Sequence, residues 1–123
     1  MKTVLVVDDS RTTREYHANI LASAGYRVDT AIDGADGLEK LFARSCDLVL
    51  TDINMQRMDG LEFIRRIRKN ADWDDLPIVI LSTESRDSER RKGLVAGANL
   101  FLTKPSDPES LLEHIGMLLG EPS

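Results

Sequence analysis

Short apolar runs and longer amphipathic stretches alternate five times along this chain, and that alternation restricts its fold more than any other feature. The runs at Thr3–Val7, Arg27–Ala31, Leu48–Asp52, Ile78–Ser82 and Asn99–Leu102 are rich in β-branched residues and Leu, as strands are. Three of them are nearly continuously apolar, which predicts strands covered on both faces and therefore a parallel sheet. The intervening stretches at Arg11–Ala24, Ala35–Arg44, Leu61–Lys69, Ser88–Ala96 and Pro108–Leu119 carry helix signals. Ser10, Asp59 and Asp107 suit N-caps, Pro108 suits a first helical position, and Gly25 and Gly97 suit left-handed C-caps. Leu61, Ile64 and Ile67 follow one helical face, while Arg65, Arg66, Arg68 and Lys69 crowd the last turn, where the helix dipole favours cations. Five βα units with right-handed crossovers predict an open, doubly wound α/β sheet.

Size and charge narrow what such a sheet does. A chain of 123 residues suits one domain, taken as residues 1–123 with its core between 2 and 119. Sixteen basic against twenty-one acidic side chains give a formal charge of -5, which argues against a direct nucleic-acid partner. The one cysteine, Cys46, can form no internal disulfide; a buried structural thiol in a reducing cytoplasm is expected. Asp8 and Asp9 interrupt the first apolar run before it reaches signal-peptide length, and no stretch is long enough to span a bilayer. A soluble cytoplasmic protein without a membrane association is expected, with no linker, repeat or second domain and only a short tail at Gly120–Ser123.

In an open α/β sheet, ligands gather beyond the carboxyl ends of the strands, near the point where strand order reverses. Strand one ends in Val7-Asp8-Asp9, strand three in Leu50-Thr51-Asp52 and strand four in Leu81-Ser82-Thr83, while strand five runs into Thr103-Lys104-Pro105. Three acids, a hydroxyl and an amine would converge on one edge. Three carboxylates in one crevice repel, so a cation is expected to relieve them. Oxygen ligands without His or Cys favour Mg²⁺ over Zn²⁺. Asp52, ending the central strand, is placed to act as a carboxylate nucleophile toward phosphorus, with Lys104 and Ser82 placed to neutralise charge on the transferring oxygens.

The segments Val6-Val7-Asp8-Asp9-Ser10, Thr51-Asp52-Ile53-Asn54-Met55, Met58-Asp59-Gly60-Leu61, Leu81-Ser82-Thr83-Glu84 and Lys104-Pro105 resemble, in order and spacing, the response-regulator receiver domains of two-component systems. Among these the chain looks most like single-domain CheY-type chemotaxis receivers. The resemblance implies a flavodoxin-like sheet of order 2-1-3-4-5 with five helices. It implies that Asp52 accepts a phosphoryl group, that Asp9 and Asp52 bind Mg²⁺ directly, that Asn54 adds its backbone carbonyl, and that Asp8 acts largely through water. Ser82 would be the switch hydroxyl, Lys104 the phosphate-pairing ammonium and Phe101 an aromatic switch that enters space vacated as Ser82 moves inward. The surface of the fourth helix, fifth strand and fifth helix would then change. The donor would be a sensor histidine kinase or a histidine phosphotransfer protein, the reader a downstream signalling protein, and the peptide before Pro105 would be cis. Gln56, Ser82, Phe101 and Ser106 depart from the usual pattern without removing an acid, the hydroxyl or the amine.

Other readings compete at single residues. Asp8 and Asp9 could form a turn and cap, Phe101 could be plain core, and Asp59-Gly60 could be only a helix start. His17 and His114 read as ordinary exposed or boundary side chains, Trp73 as a cover over the core, and Arg86, Arg90, Arg91 and Lys92 as a solvated face more than a docking patch. A small aspartyl phosphatase would want an acid where Asn54 stands, and a flavin phosphate would be repelled by Asp8 and Asp9. A phosphorylation-independent interaction module of the same fold is the remaining alternative. Apart from the phosphatase rival, the expectation is that the chain is a signalling switch and not an enzyme.

Overall fold

The structure is a computed structural model that describes residues 1–84 and 86–121; Pro122 and Ser123 of the expected tail lie outside the described residues. Five parallel strands, β1 (Thr3–Val7), β2 (Arg27–Ala31), β3 (Leu48–Thr51), β4 (Ile78–Ser82) and β5 (Leu100–Thr103), form one sheet of order β2-β1-β3-β4-β5. The helices are α1 (Arg11–Ser23), α2 (Gly34–Ala43), α3 (Gly60–Arg68), α4 (Asp87–Ala96) and α5 (Pro108–Leu118), with a single 3₁₀ turn at Ala71–Trp73. The expected class and strand order are therefore those observed.

Because side chains alternate across a strand, each central strand feeds two cores. Val4 and Val6 of β1, Leu48 and Leu50 of β3, and Val79 and Leu81 of β4 pack with Leu21 of α1 and with Leu111 and Ile115 of α5. Leu5, Val7, Val49, Ile78 and Ile80 face the other way, against Leu41 of α2 and Phe63, Ile64 and Ile67 of α3. Burial on both faces is what made the central runs continuously apolar. The edge strand β2 (Arg27–Ala31) is mostly half-buried, and only its last residue, Ala31, is fully buried.

The three expected N-caps are made: Ser10, Asp59 and Asp107 accept from the amides of Thr13, Glu62 and Ser110 at 3.4, 2.9 and 3.1 Å. Gly25 and Gly97 take φ of 97° and 126°, where an L side chain would be strained. The boundaries shift where a side chain does backbone work. Asp33 caps α2 from outside by accepting from Asp36 N–H at 2.9 Å, so that helix begins at Gly34 and not at Ala35. Strand β5 begins one residue later than its apolar run suggests, because Asn99 pairs with β4 through both its amide, donated to the Ile78 carbonyl, and its side-chain oxygen, which accepts from Ile78 N–H at 2.8 Å. Asp52 lies just beyond β3 instead of inside it, yet its amide still donates to the Val7 carbonyl at 3.0 Å. Among the described residues no helix is long and apolar enough to cross a membrane.

Candidate functional site

Strand order reverses between β1 and β3, and the chain leaves both strands there carrying acids. Val7 pairs with Thr51 in register, so the next residues, Asp8 and Asp52, emerge side by side at the carboxyl edge. A carboxylate oxygen from each of Asp8, Asp9 and Asp52 lies within 4.8 Å of the others. This donor set is all oxygen and matches a hard divalent cation such as Mg²⁺.

The three acids are not equivalent. Asp8 is buried and both its oxygens are engaged, one by the Ser10 amide at 2.9 Å and the other by Lys104 Nζ at 2.9 Å. Its carbonyl also accepts from Arg14 Nη1 at 2.8 Å. Asp9 is exposed and is the acid open to a cation from solvent. Asp52 is half-buried: one oxygen accepts from the Ile53 amide at 2.7 Å, and the other faces Lys104 Nζ at 3.2 Å. Lys104 thus bridges Asp8 and Asp52 with 13% of its side chain exposed, so part of the expected repulsion is answered from within the chain. Lys104 is brought there by β5, whose last residue pairs with Ser82, and its amide donates to the Ser82 carbonyl at 2.7 Å. The Lys104–Pro105 peptide is cis.

The loop after Asp52 closes tightly against α3. Gly60 N–H donates to the Ile53 carbonyl at 2.7 Å, and a Cβ on Gly60 would stand 2.1 Å from the Asp52 carbonyl oxygen. Asp59-Gly60 is therefore more than a helix start; the glycine lets the helix approach the backbone of the central acid. Within this loop the Asn54 carbonyl accepts no hydrogen bond from the described residues.

Ser82 is fully buried at the end of β4, and its hydroxyl accepts from the Glu84 amide at 3.2 Å. Phe101 is also buried, 2% exposed, under α4. Its ring lies where a Cβ on Gly93 would be 3.3 Å away, and the Arg90 guanidinium carbon stands 5.3 Å from its centroid. The expectation that Phe101 enters the core on switching therefore meets a ring already inside. Lacking a hydroxyl, this side chain leaves no polar group unsatisfied there.

Of the basic cluster near α4, Arg86 pairs with Glu84 and Lys92 with Glu89, while Arg90 also donates to the Phe101 carbonyl at 3.1 Å. Trp73 packs on the core edge against exposed Phe42, with ring centroids 4.9 Å apart. Cys46 is half-buried rather than buried; burial nonetheless pushes its thiol up to about 11, and it donates to the Leu48 carbonyl.

His17 corrects the reading of an ordinary exposed or boundary residue. It is buried on the inner side of α1, one turn before Leu21, and lines the same small gap as Asp8, Thr51, Asp52 and Lys104. Burial first, then the charge of Lys104, lowers its pKa from the usual imidazole value. The i,i+4 relation to Leu21 was the signal that could have placed it inward.

Two further residues escaped the sequence reading. Asp33, buried at the start of α2, receives the Arg57 guanidinium through Nε at 2.5 Å and Nη2 at 3.0 Å. Arg57 holds a left-handed backbone with φ of 64°, for which its residue type offers no warning. Asp33 did leave a trace, an acid three residues before Asp36 at a helix start.

Comparison with known proteins agrees with this geometry. The pattern of the response regulator receiver domain family matches residues 4–116. The response regulator MprA of Mycobacterium ulcerans is 42% identical over 116 residues, covering 94% of this chain and 49% of that protein, so the chain spans about half the length of this curated relative. The chemotaxis protein CheY4 of Vibrio cholerae superposes with a TM-score of 0.91 at 36% identity, covering 96% of this chain and 98% of its own. The receiver domain of a signal transduction histidine kinase from Syntrophus aciditrophicus superposes with a TM-score of 0.91 at 29% identity, covering 98% and 91%. Sequence pattern, strand order and carboxyl-edge site converge on one conclusion: this chain belongs to the receiver domain family of two-component response regulators.

Proposed function

We propose that this chain is a phosphorylation-activated switch in which Asp52 accepts a phosphoryl group from a histidine kinase or histidine phosphotransfer protein. The observation that carries the reading is the position of the Asp52 carboxylate, with two further acids around it and the Lys104 ammonium at 3.2 Å. In this reading Asp9, Asp52 and the Asn54 carbonyl hold Mg²⁺, and Asp8, whose oxygens are already engaged, reaches it through water. When bound, the cation neutralises charge on the transferring oxygens. An Asp52 oxygen attacks phosphorus as the bond to the donor nitrogen breaks, and that nitrogen keeps the electron pair. The Ile53 amide holds the other oxygen and so fixes which one faces the donor.

Lys104 then exchanges its hold on the carboxylate for a phosphoryl oxygen, and the Ser82 hydroxyl turns from the Glu84 amide to another. Releasing that amide frees the segment that leads into α4, so the changed surface comprises α4, β5 and α5. With Phe101 already inside, the transmitted change is carried by Ser82 and this backbone more than by entry of the ring. We infer a single receiver domain over residues 1–123 acting in the cytoplasm on a protein partner.

The test is incubation of the full chain with Mg²⁺ and a small phosphodonor, read by intact mass. The expected result is an acid-stable, base-labile phosphoryl adduct on the parent and none on Asp52→Asn. No adduct, or equal labelling of both, would sink the reading and leave a phosphorylation-independent interaction module.

A further inference from the structure

We propose that Arg57 is a positioning residue that holds the β3–α3 loop in its cation-binding shape by clamping it to the start of α2, a role that rests on the Mg²⁺-dependent reading above. The loop rests on the core through Met55 and Met58 and is hydrogen-bonded to the rest of the fold at two places. Near Asp52, Gly60 N–H closes on the Ile53 carbonyl at 2.7 Å. At its far side the Arg57 guanidinium forks onto both oxygens of Asp33, 24 residues earlier, and the Met58 carbonyl accepts from Gly34 N–H at 3.2 Å. Exposed Asn54 and Gln56 flank Met55 between these anchors, and Asn54 brings the carbonyl assigned to the cation.

The acceptor is itself immobile. Asp33 is buried and simultaneously caps α2 through the Asp36 amide, so it cannot follow a wandering arginine. The Arg57 guanidinium, helped by the Asp36 and Ala35 amides, holds the Asp33 carboxyl below the usual carboxylate range even though burial opposes this. Space at this junction is closed as well: a Cβ on Gly34 would stand 2.9 Å from both Met58 Cγ and Phe63 Cβ.

What separates positioning from mere support is what the chain tolerates to make the contact. The Arg57 side chain is 63% exposed, and an ion pair with so open a cation contributes little to stability. Yet Arg57 adopts the left-handed backbone that non-glycine residues avoid. Strained backbone held by its surroundings is concentrated where geometry matters to function. Outer groups that orient ligands commonly govern metal affinity strongly when the fold does not depend on them.

The test measures the Mg²⁺ dissociation constant of the full chain by calorimetry, together with Tm and the phosphorylation rate from a small phosphodonor. Arg57→Ala and Asp33→Asn should each weaken Mg²⁺ binding about tenfold. The double variant should be no weaker than either single, because both remove one contact. Arg57→Lys should recover part of the affinity, and saturating Mg²⁺ should restore the phosphorylation rate. Should Arg57→Ala fail to fold, Arg57→Gly removes the guanidinium while accepting the left-handed backbone. Unchanged Mg²⁺ affinity in the variants, with or without a lower Tm, would overturn the role while leaving the parent's phosphorylation intact. A parent that neither binds Mg²⁺ nor is phosphorylated would overturn the underlying reading as well.

Discussion

Helices α3 and α4 pack against each other and carry similarly basic sequences, yet α3 is anchored far more firmly. Helix α3 inserts Phe63, Ile64 and Ile67 completely into the core and is capped by Asp59. Helix α4 buries only Gly93, begins after Arg86 without a side-chain cap, and leaves Leu94 and Val95 open to solvent. The difference is one of attachment. Helix α3 starts beside the Asp52 backbone and is held there by its buried face, whereas α4, after the Ser82–Glu84 segment, has little buried side chain to hold it. A helix with few buried apolar side chains and no side-chain cap belongs to the low-stability end of a fold.

The largest effect that would expose this contrast comes from truncation. Ile67→Ala should cost about 2–5 kcal/mol in denaturant unfolding. Leu94→Ala, at a position 45% exposed, should stay within about 0.5 kcal/mol. Equal costs would break the comparison. A smaller effect should appear at the helix starts. Asp59→Ala should destabilise by about 1 kcal/mol, whereas Arg86→Ser, which supplies a hydroxyl at the uncapped position, should stabilise by up to about 1 kcal/mol and raise amide protection in α4. If Arg86→Ser left α4 protection unchanged, weak capping would not explain its looseness.

The pH axis sharpens the contrast most gently, because neither α3 nor α4 contains histidine. Burial holds the folded-state pKa of His17 below its ordinary 6.5, so the unfolded chain binds more protons in that interval. The neutral form's contribution is complete above about pH 6.5 and is lost as pH falls through the folded-state value. His17→Leu should flatten that slope in chemical unfolding curves and leave the difference in protection between α3 and α4 unchanged. An unaltered slope would mean that His17 is not the responsible group.

The architecture was readable because it is written in redundancy. Continuous apolar runs marked β1, β3 and β4, while Ser10, Asp59 and Asp107 marked helix starts with the hydrogen bonds they go on to make. The acids and Lys104 were readable from their places at strand ends. What escaped depended on a single contact across the fold. His17 is polar on a face otherwise set by Leu21, Asn99 substitutes a side chain for a strand amide acceptor, and Arg57 meets Asp33 only because two loops cross. Hydrophobic period carries no trace of the Asn99 and Arg57 pairings, and it marks His17 only through the i,i+4 relation to Leu21. The inward position of Phe101 depends likewise on Gly93, whose missing side chain leaves room beneath α4.

The bridge from Lys104 to Asp8 spans 96 residues of sequence, and that to Asp52 spans 52. During synthesis the acids emerge well before the amine. A nascent or truncated chain that ends before β5 holds its carboxylates without their internal counter-charge, so they repel where they should gather. Such a fragment can be compact in part, but it lacks the Lys104 bridge between Asp8 and Asp52. The charge balance of the carboxyl edge therefore exists only once β5 has joined the sheet and brought Lys104 beside the two acids.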